Sequence, residues 1–116
     1  MIRPKVIFFF EVSSERLAVT NVGEGIALNI NLDRIHDGSF ALKPEPSEIP
    51  SLAKGAVEYL KLRPVEGSYK PDMRGILTDT TISIAMTSRY SDIEGRTFTT
   101  ITFVGGGTRL PFVRDK

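Results

Sequence analysis

Two glycines flank a glutamate in Gly23-Glu24-Gly25, a composition that glycine-rich phosphate-binding loops also use. Such a loop follows a strand and leads into a helix, whose free N–H groups bind the phosphate. Here the residues that follow alternate between apolar and polar with a period of two, which predicts a strand. No third glycine occurs at the required spacing, so we interpret the segment as a tight turn whose glycines supply positive φ angles.

His36 is the only histidine of the chain, and it stands beside Asp37. The pair could serve in acid–base catalysis, but a hydrolase would also need a nucleophile placed against the histidine. Gly38 and Ser39 follow, and this composition is typical of a turn. We therefore expect an exposed loop histidine without a catalytic role.

Asp92 and Glu94 are candidate calcium ligands, because Ca²⁺ takes about six to eight oxygens and loops of β-sandwiches sometimes supply them. The chain has no Asp-x-Asp run, so a turn explains this carboxylate pair better. The absence of cysteine and the single histidine exclude thiolate–zinc and multi-histidine sites. We predict no metal, no cofactor and no catalytic residue.

Tyrosines and basic residues together could mark a surface for sugars or nucleic acids. The residues concerned are Tyr59, Tyr69, Tyr90, Arg63, Lys70, Arg89 and Arg96. The net charge is only +1 and no basic cluster is present, so we predict no nucleic-acid partner. Tyrosines on strands are more often half-buried packing residues than ligand contacts.

The composition predicts the elements that must position these residues. Valine, isoleucine and threonine account for 29 of 116 residues, whereas alanine numbers six and glutamine is absent. Branching at Cβ suits a pleated sheet better than a helix, so an all-β chain is expected. The length fits a single domain, residues 1–116, and no apolar run is long enough for a membrane helix. We therefore predict no membrane insertion by this segment.

Alternation of apolar and polar residues locates most of the strands. The clearest stretch is 26–35, in which Ile26, Leu28, Ile30 and Leu32 share one predicted face. Further strands are predicted over 5–11, 16–22, 40–43, 81–90 and 96–104. The first of these is so apolar that it is either buried on both faces or the N-terminal edge of a sheet. The last two are expected to form a long hairpin.

The remaining segments have weaker patterns. Residues 44–50 contain three prolines and are expected to form an extended crossover outside regular structure. Residues 52–63 suit either a helix or a strand, and we favour the strand because Gly55 would cost a helix about 1 kcal/mol. Residues 64–80 read as a long loop, and the residues after the glycines at 105–107 read as a tail.

Seven candidate strands fit an immunoglobulin-like antiparallel β-sandwich, with a small barrel as the alternative. The cysteine pair and the core tryptophan of antibody domains are both absent, so a true antibody-type domain is excluded.

Two motifs resemble those of bacterial and archaeal immunoglobulin-like modules of the CARDB type. In the first, LAVTNVGEG at 17–25, an alternating strand leads into Asn-x-Gly. Its continuation, IALNI at 26–30, is similar to the Gly-x-Ala-x-Asn form of uncharacterised bacterial proteins, in which such a domain often lies beside membrane segments. The second motif, YSDIEGRTF at 90–98, is similar to the last hairpin of these modules. The resemblance implies a non-catalytic adhesive or spacer module and carries over no catalytic residue.

We therefore expect a non-catalytic interaction, adhesion or spacer module of a bacterial or archaeal protein, monomeric in isolation, that contacts a protein partner or neighbouring domains. A location in the cell envelope would depend on segments outside this chain. Contacts are expected at the 40–43 strand, taken as an open sheet edge, or in the 64–80 loop. A carbohydrate- or peptide-binding module is the alternative, which exposed aromatic residues in the 64–80 loop would favour. An enzyme is the third hypothesis, and it would require carboxylates that converge in a pocket.

Overall fold

The structure is a computed structural model that describes residues 3–11, 13–14, 16–37, 40–65, 83–105 and 112–115. These residues form ten β-strands and no helix. The strands are β1 (Val6–Glu11), β2 (Arg16–Asn21), β3 (Ala27–Leu32), β4 (Ile35–Asp37), β5 (Phe40–Glu45), β6 (Glu48–Leu52), β7 (Val57–Pro64), β8 (Ser83–Ser91), β9 (Thr97–Gly105) and β10 (Phe112–Asp115).

The strands form two five-stranded antiparallel sheets. Sheet 1 has the order β1-β2-β7-β5-β4, and sheet 2 has the order β10-β9-β8-β3-β6. The predicted hairpin is the β8–β9 pair, which runs without interruption from Ser83↔Gly105 to Ser91↔Thr97. The sheets face each other, with β1 packed across β8 and β9 and β4 packed across β8. The all-β antiparallel architecture is confirmed, although the described residues form more strands than the seven predicted.

Apolar side chains from the inner faces of both sheets form one core. Its buried members are Val6, Phe8, Leu17, Val19, Ile35, Leu42 and Leu60 from sheet 1 and Ala27, Ile30, Leu32, Ile49, Leu52, Ile84, Met86, Tyr90 and Val104 from sheet 2. Alternation in β2 and β8 places every second residue on this face, as predicted.

β1 is an edge strand, one of the two predicted alternatives, but its outer edge is not open. Alternate residues of an antiparallel strand direct their backbone groups away from the paired strand. The Val6 carbonyl accepts a hydrogen bond from Ser88 Oγ at 2.8 Å, and the Phe8 N–H donates to Thr102 Oγ1 at 3.1 Å. Both hydroxyls are fully buried. Side chains of sheet 2 therefore satisfy backbone groups that a neighbouring strand would otherwise bind.

The strand predicted over 26–35 is two strands, β3 and β4. Within β3, a β-bulge changes which face of the sheet the alternating side chains occupy. The register between β3 and β8 shifts after Leu28, and Asn29 has a left-handed φ of 50°. Asparagine tolerates this conformation better than most residues do. A bulge adds one residue and reverses the faces that follow it. The predicted apolar face is therefore wrong at the start of β3, where Ala27 is buried and Leu28 only partly so, and right at Ile30 and Leu32.

The prediction that residues 44–50 lie outside regular structure is wrong. β5 continues through Pro44, whose register partner on β7 is Leu62, and β6 begins at Glu48 after a cis bond between Glu45 and Pro46. β4 pairs with β5 only as far as Leu42. Among the described residues no strand pairs with that side of β5 beyond Leu42, and prolines in strands are found mainly at such edges.

The 40–43 strand is not an open edge, which corrects the first predicted contact site. It belongs to β5, which lies between β7 and β4. The strand interpretation of 52–63 is confirmed, since β6 ends at Leu52 and β7 begins at Val57. The tail interpretation is wrong for 112–115, which pair with β9 as β10. The predicted 64–80 loop lies, from residue 66 on, outside the described residues.

Candidate functional site

Asn21, the last residue of β2, is a fully buried amide that organises the turn after it. Its Oδ1 accepts hydrogen bonds from the N–H groups of Lys5 and Gly23, both at 3.1 Å. Its Nδ2 donates to the carbonyls of Gly25 at 2.9 Å and Leu52 at 3.0 Å. The single side chain thereby connects the N-terminal segment, its own turn and the end of β6.

Gly23 is required because the N-terminal segment passes directly beside it. A Cβ at this position would collide with the Arg3 carbonyl and with the Lys5 nitrogen at 2.5 Å. The backbone is also paired here, with Val22 N–H donating to the Lys5 carbonyl and Glu24 N–H to the Arg3 carbonyl, both at 2.8 Å. The Asn-x-Gly motif therefore has a structural role, to hold residues 3–5 against the β2–β3 turn.

A second turn, residues 53–56, is attached to the first. The Gly55 N–H donates to the Asn21 carbonyl at 2.8 Å, and Gly55 has a left-handed φ of 79°. Lys54 Nζ lies 2.6 Å from Glu24 Oε1, which joins the tips of the two turns by an exposed ion pair. Exposed pairs add little stability, so backbone and amide bonds supply most of the rigidity.

Asp92 organises the third turn, between β8 and β9. Its Oδ1 accepts from the N–H groups of Glu94 at 3.0 Å and Arg96 at 2.9 Å, and its Oδ2 lies 2.6 Å from Arg96 Nε. Burial acts to raise the pKa of this carboxyl, but the hydrogen bonds and charge of Arg96, with the Glu94 N–H, outweigh it and hold the pKa below its usual range.

The three turns lie at one end of the molecule, which we call the loop end (residues 22–26, 53–56 and 92–96). The registers establish this, because β2 and β7 meet there at Thr20↔Val57 and β3 meets β6 at Ala27↔Leu52. β8 also reaches this end, since Ser91 pairs with Leu28.

The loop end displays apolar side chains on a rigid backbone. Val22 is 53% exposed and Ile93 is 80% exposed. Each stands next to the buried polar residue that fixes its turn, Asn21 or Asp92. A single exposed apolar residue is ordinary, but two held on locked turns at the same end are suited to contact another molecule.

Among the residues that the structure describes, those singled out for catalysis or metal binding do not assemble into a chemical site. Gly23, Glu24 and Gly25 form a turn that leads into a strand, as predicted, but only Gly25 has the predicted positive φ. His36 is exposed, as predicted, but lies on the short strand β4 and not in a turn. Asp92 is bound by Arg96, which corresponds to the predicted turn role. In the described part of the chain, no group of three or more His, Cys, Asp or Glu is placed to hold a metal ion.

The tyrosines and basic residues that were considered as a sugar or nucleic-acid surface are dispersed. Tyr90 is buried, and its hydroxyl lies 2.6 Å from Thr100 Oγ1. Arg89 is on the outer face of sheet 2, where it pairs with Asp33, whereas Arg63 is on β7 of sheet 1 and pairs with Glu45. Tyr69 and Lys70 lie outside the described residues.

Tyr59 forms a separate cluster on the outer face of sheet 1 that sequence reasoning missed. The Arg16 guanidinium lies 3.7 Å from the centre of the Tyr59 ring, a close cation–π contact. The tyrosine hydroxyl donates to Glu11 Oε2 at 3.0 Å, and this bond is the main reason that the pKa of Tyr59 is raised. Strand pairing brings the three residues together, through Glu11↔Arg16 and Ala18↔Tyr59.

Comparison with protein-family models, with curated proteins and with solved structures finds no match to this chain. Among the described residues, no helix is long and apolar enough to span a membrane.

Proposed function

We propose that this chain is a non-catalytic, immunoglobulin-like interaction module that contacts a protein partner or a neighbouring domain through its loop end. The exposed Val22 and Ile93, held on turns fixed by Asn21 and Asp92, are the observation that carries the proposal. Binding residues are commonly found on loops that a rigid scaffold positions. A preformed loop also loses less conformational entropy when it binds.

The strand order supports the immunoglobulin-like part of the proposal. Immunoglobulin-type sandwiches place strands A-B-E-D in one sheet and G-F-C in the other. Assigning A, B, D and E to β1, β2, β5 and β7, and C, F and G to β3, β8 and β9, reproduces both neighbour orders. β4, β6 and β10 are then additions at the edges. In this assignment the turns 22–26 and 92–96 correspond to the B–C and F–G loops, which bind antigen in antibody variable domains.

The CARDB resemblance supports the same interpretation. Its Asn-x-Gly element corresponds to Asn21 and Gly23, whose contacts are structural and leave the Val22 side chain exposed for a partner. Its second element, 90–98, contains the turn that Asp92 fixes. Both elements therefore build the proposed contact surface and supply no catalytic group.

Site-specific photo-crosslinking tests the proposal and captures a partner whose identity is unknown. A benzophenone amino acid would replace Val22 or Ile93, in the cells from which the chain comes, and Lys61 or Ala85 as controls. The controls are exposed strand positions on the outer faces of sheets 1 and 2. We expect one discrete adduct, of the same mass from positions 22 and 93, that is absent from positions 61 and 85.

A pure spacer, which binds nothing, would give no adduct from either turn. Equal yields from all four positions would indicate random collision. Either result would overturn the proposed loop-end contact.

A further inference from the structure

We propose that a groove lined by residues of the paired strands β3 and β6 in sheet 2 binds a neutral oligosaccharide. The groove has a volume of about 380 Å³ and is lined by Asn29, Ile30, Asn31, Glu48, Ile49 and Pro50. This volume falls within the range of about 300–1,000 Å³ that small-ligand sites occupy. The site is distinct from the loop-end surface and does not depend on it.

The bulge in β3 positions the central polar group. Asn29 is exposed, and its left-handed φ of 50° departs from the strand conformation of its neighbours. β-bulges redirect side chains and are frequent beside functional sites. Unusual backbone conformations likewise concentrate where binding requires them. The Asn31 Nδ2 donates to the Asn29 carbonyl at 3.2 Å and so supports the bulge from within the groove.

The polar atoms of Asn29 and Glu48 are available to a ligand. Within the described residues, neither the Asn29 amide nor the Glu48 carboxylate hydrogen-bonds to another side chain or backbone group. An amide supplies donors and an acceptor, and a carboxylate supplies acceptors. Each sugar hydroxyl is both a donor and an acceptor, so neighbouring hydroxyls of one sugar ring match this pair. Pro50 adds an apolar surface against which the C–H face of a sugar can pack.

The charges of the groove favour a neutral ligand. The register partner of Asn31 on β8 is Arg89. Both of its terminal nitrogens are engaged by Asp33, at 3.1 and 3.0 Å. No lysine or arginine occurs among the described lining residues, and Glu48 would repel an anionic sugar.

NMR titration of the ¹⁵N-labelled full chain with cellohexaose, maltohexaose and laminarihexaose tests this site. We expect at least one of them to shift the side-chain amide of Asn29 and the backbone amides of residues 30, 31, 48 and 49. Exposed, hydrogen-bonded grooves bind weakly, so the titration should extend to about 10 mM sugar.

Asn29→Gly is the decisive variant, because glycine adopts the left-handed φ without strain and removes only the amide. The affinity should fall at least tenfold, which is about the effect of one lost bidentate contact. Lys61→Ala, an exposed change on the opposite sheet, should leave the affinity unchanged.

Two results would overturn the proposal. One is the absence of shifts at Asn29 with all three sugars. The other is binding that Asn29→Gly leaves intact, as expected if the sugar binds elsewhere on the molecule. Circular dichroism melts of each variant establish that a loss of binding is not a loss of fold.

Discussion

Asn21 and Asp92 each use one buried polar side chain to fix the backbone of a turn. Asn21 bonds to four backbone groups, which are spread from Lys5 to Leu52. Asp92 acts only on residues within its own turn. The first therefore holds distant parts of the chain together, and the second fixes a local conformation. This difference determines how each should respond to substitution.

Asn21→Ala should lower the free energy of unfolding by at least about 2 kcal/mol, because buried N–H and C=O groups lose their partner without access to water. Urea denaturation measures this change. Asn31→Ala is the matched control, since Asn31 is exposed and its amide makes one local bond. That control should change stability by no more than about 0.5 kcal/mol. Similar losses in both variants would mean that the Asn21 network contributes little.

Asp92 should make stability depend on pH in the acid range. Its pKa in the folded state is below the ordinary value of 3.8, so the unfolded chain binds a proton more readily. The stabilisation is therefore complete at neutral pH and is lost as the pH falls through the folded-state pKa.

Melting temperatures measured between about pH 6 and pH 3 test this linkage. Asp92→Asn should melt lower than the native chain at neutral pH, and its melting temperature should fall less on acidification. Glu94→Gln changes an exposed carboxylate of the same turn and serves as the control. A native-like acid response in Asp92→Asn would exclude Asp92 as the source.

At the scale of the elements, β1 depends on hydroxyl groups of the opposite sheet. Ser88 and Thr102 lie at inward positions of β8 and β9, where apolar residues are the usual occupants. In the sequence, threonine and serine at these positions interrupt the apolar pattern. The structure shows that they bind the outer edge of β1, which its sequence alone could not indicate.

Thr102→Val removes the hydroxyl with almost no change in shape and leaves the Phe8 N–H without its partner. The free energy of unfolding should fall by about 1–3 kcal/mol. Hydrogen exchange at the Phe8 amide should also become faster, since β1 would open more readily. Thr99→Val, on the partly exposed face of β9, should leave that exchange rate unchanged. Slow exchange at Phe8 in Thr102→Val would show that the hydroxyl does not hold this edge.

The strands that sequence reasoning found and those that it missed differ in how they form. β1, β2, β3, β5, β7, β8 and β9 were predicted, and for β2, β3 and β8 the signal was alternation of apolar and polar residues. β4, β6 and β10 have only three to five residues each and pair with longer neighbours. Their formation depends on tertiary pairing more than on local preference. The bulge at Asn29 was missed because the sequence alternates without interruption from Ile26 to Leu32, so that the pattern does not mark the residue at which the buried face changes.

At the scale of the whole molecule, the two packed sheets decide which apolar residues are core and which are surface. The all-β antiparallel architecture followed from composition and alternation. The candidate surfaces did not, because Val22 and Ile93 are no less apolar than the residues of the core. The structure shows that the turns at the loop end leave Val22 53% and Ile93 80% exposed. Which apolar side chains are exposed depends on how the two sheets assemble, and local sequence patterns do not encode that assembly.

Two isoleucines, one in the core and one at the loop end, test this distinction between core and surface apolar residues. Ile84 is 1% exposed on β8, whereas Ile93 is 80% exposed two residues after that strand ends. Ile84→Ala should cost about 2–5 kcal/mol of unfolding free energy, because it empties a packed site. Ile30→Ala, on the neighbouring strand β3 in the same core, should behave alike. Ile93→Ala should change stability by no more than about 0.5 kcal/mol, because its side chain is already in water. Denaturant titration measures all three.

Combining Ile93→Ala with the photo-crosslinking amino acid at position 22 tests whether the exposed Ile93 side chain takes part in the partner contact. The proposed partner contact uses both turns, so the combined variant should lose the adduct that the crosslinker forms in the otherwise native chain. Because Ile93 is 80% exposed, this loss should occur without a loss of stability. A stable Ile93→Ala chain that retains the adduct would separate Ile93 from the interaction surface. A strongly destabilised one would show instead that its side chain packs within the fold.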